Sequence, residues 1–134
     1  MEQFITAIEK SWGKDTAYRK DAPFWSPENP ARGQCAITAL IVNDYYGGQI
    51  YSGVSDTGIY HYWNVIDGNK VDLTEKQFET KLVFNNTKEW ERGALLATGD
   101  VLERYIILKE RFEKKHEGSL NHYRQTRKGE KYGP

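Results

Sequence analysis

Cys35, His61 and Asp72 are the three residues of this chain whose types and spacing suit covalent catalysis. A cysteine nucleophile needs a base to take its proton. The base needs an acceptor that fixes its tautomer and steadies the imidazolium. Cys35, the only cysteine, opens the run Cys35-Ala36-Ile37-Thr38-Ala39-Leu40-Ile41-Val42, which Asp44-Tyr45-Tyr46 continues and Gly47-Gly48 stops. The length and the two alanines predict a buried helix ended by glycine rather than a strand. The first turn of such a helix carries unbonded N–H groups and the positive end of the dipole, both favourable to a thiolate. A cysteine in so apolar a run also suits the plainer part of a small core side chain.

Of the three histidines, His116 falls at the exposed end of the predicted last helix and His122 beyond it. His61 instead lies in 59–66, an aromatic and β-branched stretch that reads as a strand. Alternation places His61, Trp63 and Val65 on one face and Asn64 on the other. Asp67-Gly68 signals a two-residue hairpin loop. With that loop Ile66 faces Asn69 and Trp63 faces Asp72, so Asp72 becomes the diagonal neighbour of His61. A three-residue loop would put the two on opposite faces. Asp72, rather than Asn64 or Asp67, is therefore predicted to hold His61. Three further residues are candidates for oxyanion or substrate contacts. Gln34 adjoins the cysteine, Trp63 shares the face of His61, and Trp25 lies with Phe24 in a loop at 14–32 that holds three of the four prolines. The trio of Cys35, His61 and Asp72 also suits a metal. No short His-x-x-x-His or Cys-x-x-Cys spacing supports one, and neither metal nor cofactor is expected.

Around these residues the spacing predicts an amphipathic helix over 2–12, a strand at 49–54 and a return strand at 69–73. Thr74 and Gln77 suggest a capping box with Phe78 as core anchor. The stretch 81–98 reads as irregular, with a short strand at 82–84 and a turn at Arg92-Gly93. Asp100 opens a last helix whose stripe of Val101, Tyr105, Leu108 and Phe112 ends at Gly118. The expected layout is one domain over 1–117 and a basic, flexible tail over 118–134.

The chain has 134 residues, and its 19 basic and 19 acidic residues cancel. A domain of this size supports a sizeable core. Its charge balance gives no footing for nucleic acid or an anionic membrane. One cysteine excludes an intrachain disulfide and fits a reducing compartment. With no apolar run near ~20 residues and no signal-peptide pattern at Met1-Glu2-Gln3-Phe4-Ile5, the expected location is cytoplasmic.

Trp25-Ser26-Pro27-Glu28-Asn29-Pro30, Gly33-Gln34-Cys35-Ala36-Ile37-Thr38-Ala39-Leu40, Asp44-Tyr45-Tyr46-Gly47-Gly48, His61-Tyr62-Trp63-Asn64 and Val71-Asp72-Leu73-Thr74 resemble the YunG-like family of small bacterial proteins. Arg104-Tyr105, Leu108 and Arg111 resemble its C-terminal helix, and the likeness spans about residues 3–113. It implies a bacterial or phage origin and no particular substrate. More distantly, a cysteine on a helix, a histidine on a strand and an aspartate on the next strand resemble the papain-like and transglutaminase-like enzymes. That likeness implies Cys35 as nucleophile, His61 as base, Asp72 as orienter, and Gln34 or the backbone N–H of Cys35 as oxyanion donor. The papain signature Cys-Gly-Ser-Cys-Trp is absent, so no peptidase specificity is implied.

The expected fold is α+β, a buried cysteine-bearing helix on a small antiparallel sheet with a papain-like or transglutaminase-like core. The expected function is a cysteine-dependent amide hydrolase or acyl-transfer enzyme acting on a peptide, amide or small molecule. The alternative is a non-catalytic ligand- or protein-binding module on the same scaffold.

Overall fold

Phe4, Ala7 and Ile8 line one side of α1 (Glu2–Glu9) and are buried. The computed structural model describes residues 1–129, with side chains described through residue 118. It closes this helix at Glu9, short of the predicted residue 12. Trp12 reaches the core from the following loop instead, its indole N–H donating to Thr38 Oγ1 at 2.9 Å. The central helix α2 (Cys35–Tyr46) buries every residue from Ala36 to Val42. A helix apolar all round must be covered all round. The sheet covers one side and α4 another, while Phe4 packs its ring edge against Tyr45, Tyr46 and Phe112.

Four strands follow: β1 (Gln49–Ser55), β2 (Tyr60–Ile66), β3 (Asn69–Val71) and β4 (Phe84–Trp90). They form one antiparallel sheet in the order β3-β2-β1-β4. Ile66 pairs with Asn69, so the β2–β3 loop has two residues. Asp67 and Gly68 have φ of 51° and 80°, the paired positive values of a type I′ turn. β4 lies where the sequence reads as irregular. Its run Asn85-Asn86-Thr87-Lys88-Glu89 is exposed throughout, because an edge strand with open faces needs no apolar alternation. Thr74 makes no side-chain cap, and only a short 3₁₀ turn, Glu75–Gln77, follows it.

A short helix, α3 (Arg92–Leu96), replaces the predicted turn. Glu91 caps it by accepting the N–H groups of Gly93 and Ala94, each at 3.0 Å. The last helix, α4 (Val101–Gly129), runs through Gly118, where the sequence predicts a stop. One interior glycine costs only about 1 kcal/mol relative to alanine, too little to end a helix already nucleated. Residues 130–134 of the expected tail lie outside the described residues. Two arginines tie α4 back to the first third of the chain. Arg104 Nη1 donates to the carbonyls of Thr16 (3.0 Å) and Gly33 (3.3 Å), and Arg111 Nη1 to that of Ser11 (2.8 Å). The architecture is α+β. Among the described residues no helix is long and apolar enough to cross a membrane.

Candidate functional site

Cys35 begins α2 and is half-buried. The backbone just before it is set by Gly33, whose φ is +76°. A Cβ there would stand 2.9 Å from the Tyr18 nitrogen and 3.0 Å from Asp21 Cβ. Only glycine fits both the left-handed backbone and the close approach. Gln34 is fully buried, and its carboxamide faces the protein. Nε2 donates to the carbonyls of Gly13 (2.9 Å) and Arg32 (3.4 Å), and Oε1 accepts from Thr16 Oγ1 (2.8 Å). A buried amide must be satisfied, and Gln34 finds its partners in the loop rather than in any cleft. No side chain caps the head of α2, where the first N–H groups of a helix lack intrahelical acceptors.

β2 carries His61, which is completely buried. Its Nε2 lies 2.7 Å from Asp72 Oδ2. The second oxygen of that carboxylate accepts from Thr74 N (3.2 Å) and Thr74 Oγ1 (3.3 Å), so Asp72 is held from both sides. Phe84 stacks on the imidazole at 5.1 Å between centroids and Phe78 meets it edge-on at 5.0 Å. The approach of Phe84 depends on Gly53, directly across from His61 in the sheet. A Cβ on Gly53 would come within 2.8 Å of Phe84 Cβ and 2.9 Å of the Trp63 ring. Nδ1 of His61 is buried and completes no hydrogen bond. Burial is the largest influence on the ring and lowers its pKa. The hydrogen bond to Asp72 and the neighbouring thiol of Cys35 together outweigh it and hold the imidazole at about 9.

A cavity of about 640 Å³ opens over Cys35 and Ala36. Tyr60 and Tyr62 from β2, Phe78 from the segment after β3, and Arg104 from α4 contribute to its walls. Trp25 and Trp63 do not. Trp25 donates its indole N–H to the Pro30 carbonyl (2.9 Å), and Trp63 is buried beside Phe84 with the Lys70 ammonium over its ring. The structure thus joins His61 to Asp72 with Cys35 as a neighbour of the ring; Cys35 lines the cavity, whereas His61, Asp72, Gln34, Trp25 and Trp63 do not. Sequence reading gave Thr74 only a helix-capping role and assigned no site role to Tyr62 or Arg104. The Asp-x-Thr spacing of Asp72 and Thr74 is a turn signal that marks the first. Tyr62 differs from His61 by one place in the strand and so points to the other face. Among the described residues, no three His, Cys, Asp or Glu side chains converge as a metal-binding group.

The model of a family described as "YunG protein" matches residues 1–117. A Bacillus subtilis (strain 168) protein, "Uncharacterized protein YunG", is 30% identical over 121 residues, covering 90% of this chain and 97% of its own length. No solved structure matches.

Proposed function

The chain belongs to the YunG family, and from that premise we propose that it is a cysteine-dependent amide hydrolase or acyl-transfer enzyme. One observation carries this reading: His61 is anchored by Asp72 on one ring nitrogen while Cys35, at the uncapped head of a helix, influences the ring and opens on a cavity. Asp72 accepts a hydrogen bond from Nε2–H, which leaves Nδ1 as the nitrogen that takes the proton of the thiol. The Cys35 sulfur attacks a carbonyl carbon in the cavity, and the carbonyl oxygen takes the electron pair. The N–H groups at the head of α2, beginning with that of Cys35, serve as the oxyanion's donors in this reading. Collapse breaks the C–N bond, and His61 gives its proton to the leaving nitrogen. Water then attacks the thioester and passes a proton to His61. The C–S bond breaks, the acid departs and the thiol is restored.

The raised proton affinity of His61 supports this cycle, because an imidazolium beside sulfur is the state reached when the thiol gives up its proton. The order of cysteine helix, histidine strand and aspartate also resembles papain-like and transglutaminase-like enzymes, a likeness of arrangement alone. Iodoacetamide at neutral pH tests the proposal. Cys35 should alkylate faster in the folded protein than in the urea-unfolded chain, and N-acyl p-nitroanilides should leave an acyl group on it by intact mass. A thiol that folding only protects, with no acyl adduct, would leave the binding-module reading.

A further inference from the structure

Arg104 is 6% exposed, yet its guanidinium is only partly engaged. Nε donates to Asp100 Oδ1 at 3.0 Å, and Nη1 to the carbonyls of Thr16 and Gly33. Nη2 has no acceptor among the described residues, and Arg104 lines the cavity with Tyr18, over whose ring the guanidinium stands at 5.8 Å. A permanently charged donor so nearly buried calls for an acceptor, and a carboxylate matches its geometry. Tyr62, which lines the same cavity from β2, also has a hydroxyl with no partner among the described residues. Burial raises its pKa, with Tyr60 and Cys35 adding to the rise, so the hydroxyl remains a donor at neutral pH. Three carboxylates line the cavity as well. Asp100 is held by Arg104 and Asp21 accepts from Arg32 Nε at 3.2 Å, while Glu79 is exposed. Asp21 is paired with Arg32 and Asp100 with Arg104 itself, so each pair is neutral in sum, and the head of α2 adds positive potential.

We propose that Arg104 Nη2 and the Tyr62 hydroxyl form a carboxylate subsite, so that the acyl compound offered to Cys35 carries a free carboxylate. The proposal rests on the reading of Cys35 as a nucleophile. It assigns the substrate class: an amide bearing an acid group, whether the C-terminal carboxylate of an N-acyl amino acid or a side-chain carboxylate. The apolar surface of Phe78 and the tyrosines suits the acyl or aromatic part of such a molecule.

Iodoacetate and iodoacetamide test it together. Each forms an S–C bond at Cys35 and expels iodide, and only the first carries a carboxylate. The ratio of iodoacetate to iodoacetamide rate, divided by that of free cysteine, should be about tenfold or more, the effect of one charge-assisted contact. Arg104→Lys and Tyr62→Phe should each lower it. Arg104→Lys also removes ties to the loop and risks misfolding, whereas Tyr62→Phe deletes only a hydroxyl, so a fall in the latter suffices. A wild-type ratio equal to that of free cysteine overturns the subsite, even where fast iodoacetamide labelling upholds the nucleophile.

If neither reagent reacts, the nucleophile reading fails and a second measurement judges the subsite. The Cys35→Ser protein should melt higher with N-benzoylglycine or with the α-amide of N-benzoylaspartate, and not with their methyl esters. Which of the two acts tells a terminal from a side-chain carboxylate. No rise with either overturns the proposal.

Discussion

At the carboxyl end of α2, Asp44 accepts from Arg92 Nη2 and from the Tyr105 hydroxyl, each at 2.5 Å, and Lys109 stands 3.4 Å away. Arg92 Nη1 also donates to the Leu40 carbonyl (3.2 Å), and Asn43 Nδ2 donates to the carbonyls of Gly47 (3.3 Å) and Gly48 (3.2 Å). Cations and capping donors thus close the negative end of the dipole. The amino end differs. Gln34 and Arg104 Nη1 bind the loop carbonyls, but no side chain caps the helix, and Cys35 and Ala36 face a cavity. One end of the helix is saturated as a structural joint. The other is left without a side-chain cap beside a cavity, the setting that the proposed thiol chemistry requires.

Separating the two ends by mutation should give effects of different kinds. The largest expected effect is on reactivity. His61→Ala should slow iodoacetamide labelling of Cys35 at neutral pH by roughly a thousandfold, within the range for loss of a general base. Asp44→Ala should leave that rate within about threefold, since distant sites act independently. Equal slowing by both variants would erase the distinction.

Next is the pH dependence of stability. The folded pKa of His61 lies above its unfolded value, about 9 against 6.5. Its stabilising contribution is therefore complete below 6.5 and is lost as the pH rises through about 9, with no loss from this group on acidification. Urea melts of wild type and His61→Gln should show a wild-type advantage of up to about 3 kcal/mol at the acid side of this window, shrinking toward its alkaline end. An advantage that grows with pH would contradict the assignment.

The closed end should respond in stability alone. Asp44→Ala should cost about 2 kcal/mol by leaving Arg92 and the Tyr105 hydroxyl short of an acceptor, read as a lower Tm. Asn43→Ala, which removes two exposed hydrogen bonds and one of the acceptors of Arg92 Nη1, should cost about 1 kcal/mol and sets the lower limit of the series.

Local chemistry made some of this visible in the sequence. Asp67-Gly68 dictates a turn by its own backbone preferences, and from it follow the register and the meeting of His61 with Asp72. The apolar run after Cys35 likewise allows little but a covered helix. What could not be read depended on partners far along the chain. Gln34 beside a cysteine suggests an oxyanion donor until the loop brings Gly13 and Thr16 to it. Arg104 lies on an amphipathic helix and carries no local signal of burial. Its burial depends on carbonyls at Thr16 and Gly33 that only the tertiary fold delivers. β4 failed for the opposite reason: an exposed edge strand carries no apolar rhythm to detect.

The ties from α4 to Ser11, Thr16 and Gly33 have a bearing on biosynthesis. A nascent chain that has emerged from the ribosome only as far as β4 already has Cys35, His61 and Asp72 outside the exit tunnel. It still lacks Val101 and Arg104, which wall the cavity, and the guanidinium that fixes the carbonyl of Gly33. Contacts this distant in sequence form late, and domains complete their folding as units. The surroundings of Cys35 are therefore complete only once α4 has been made.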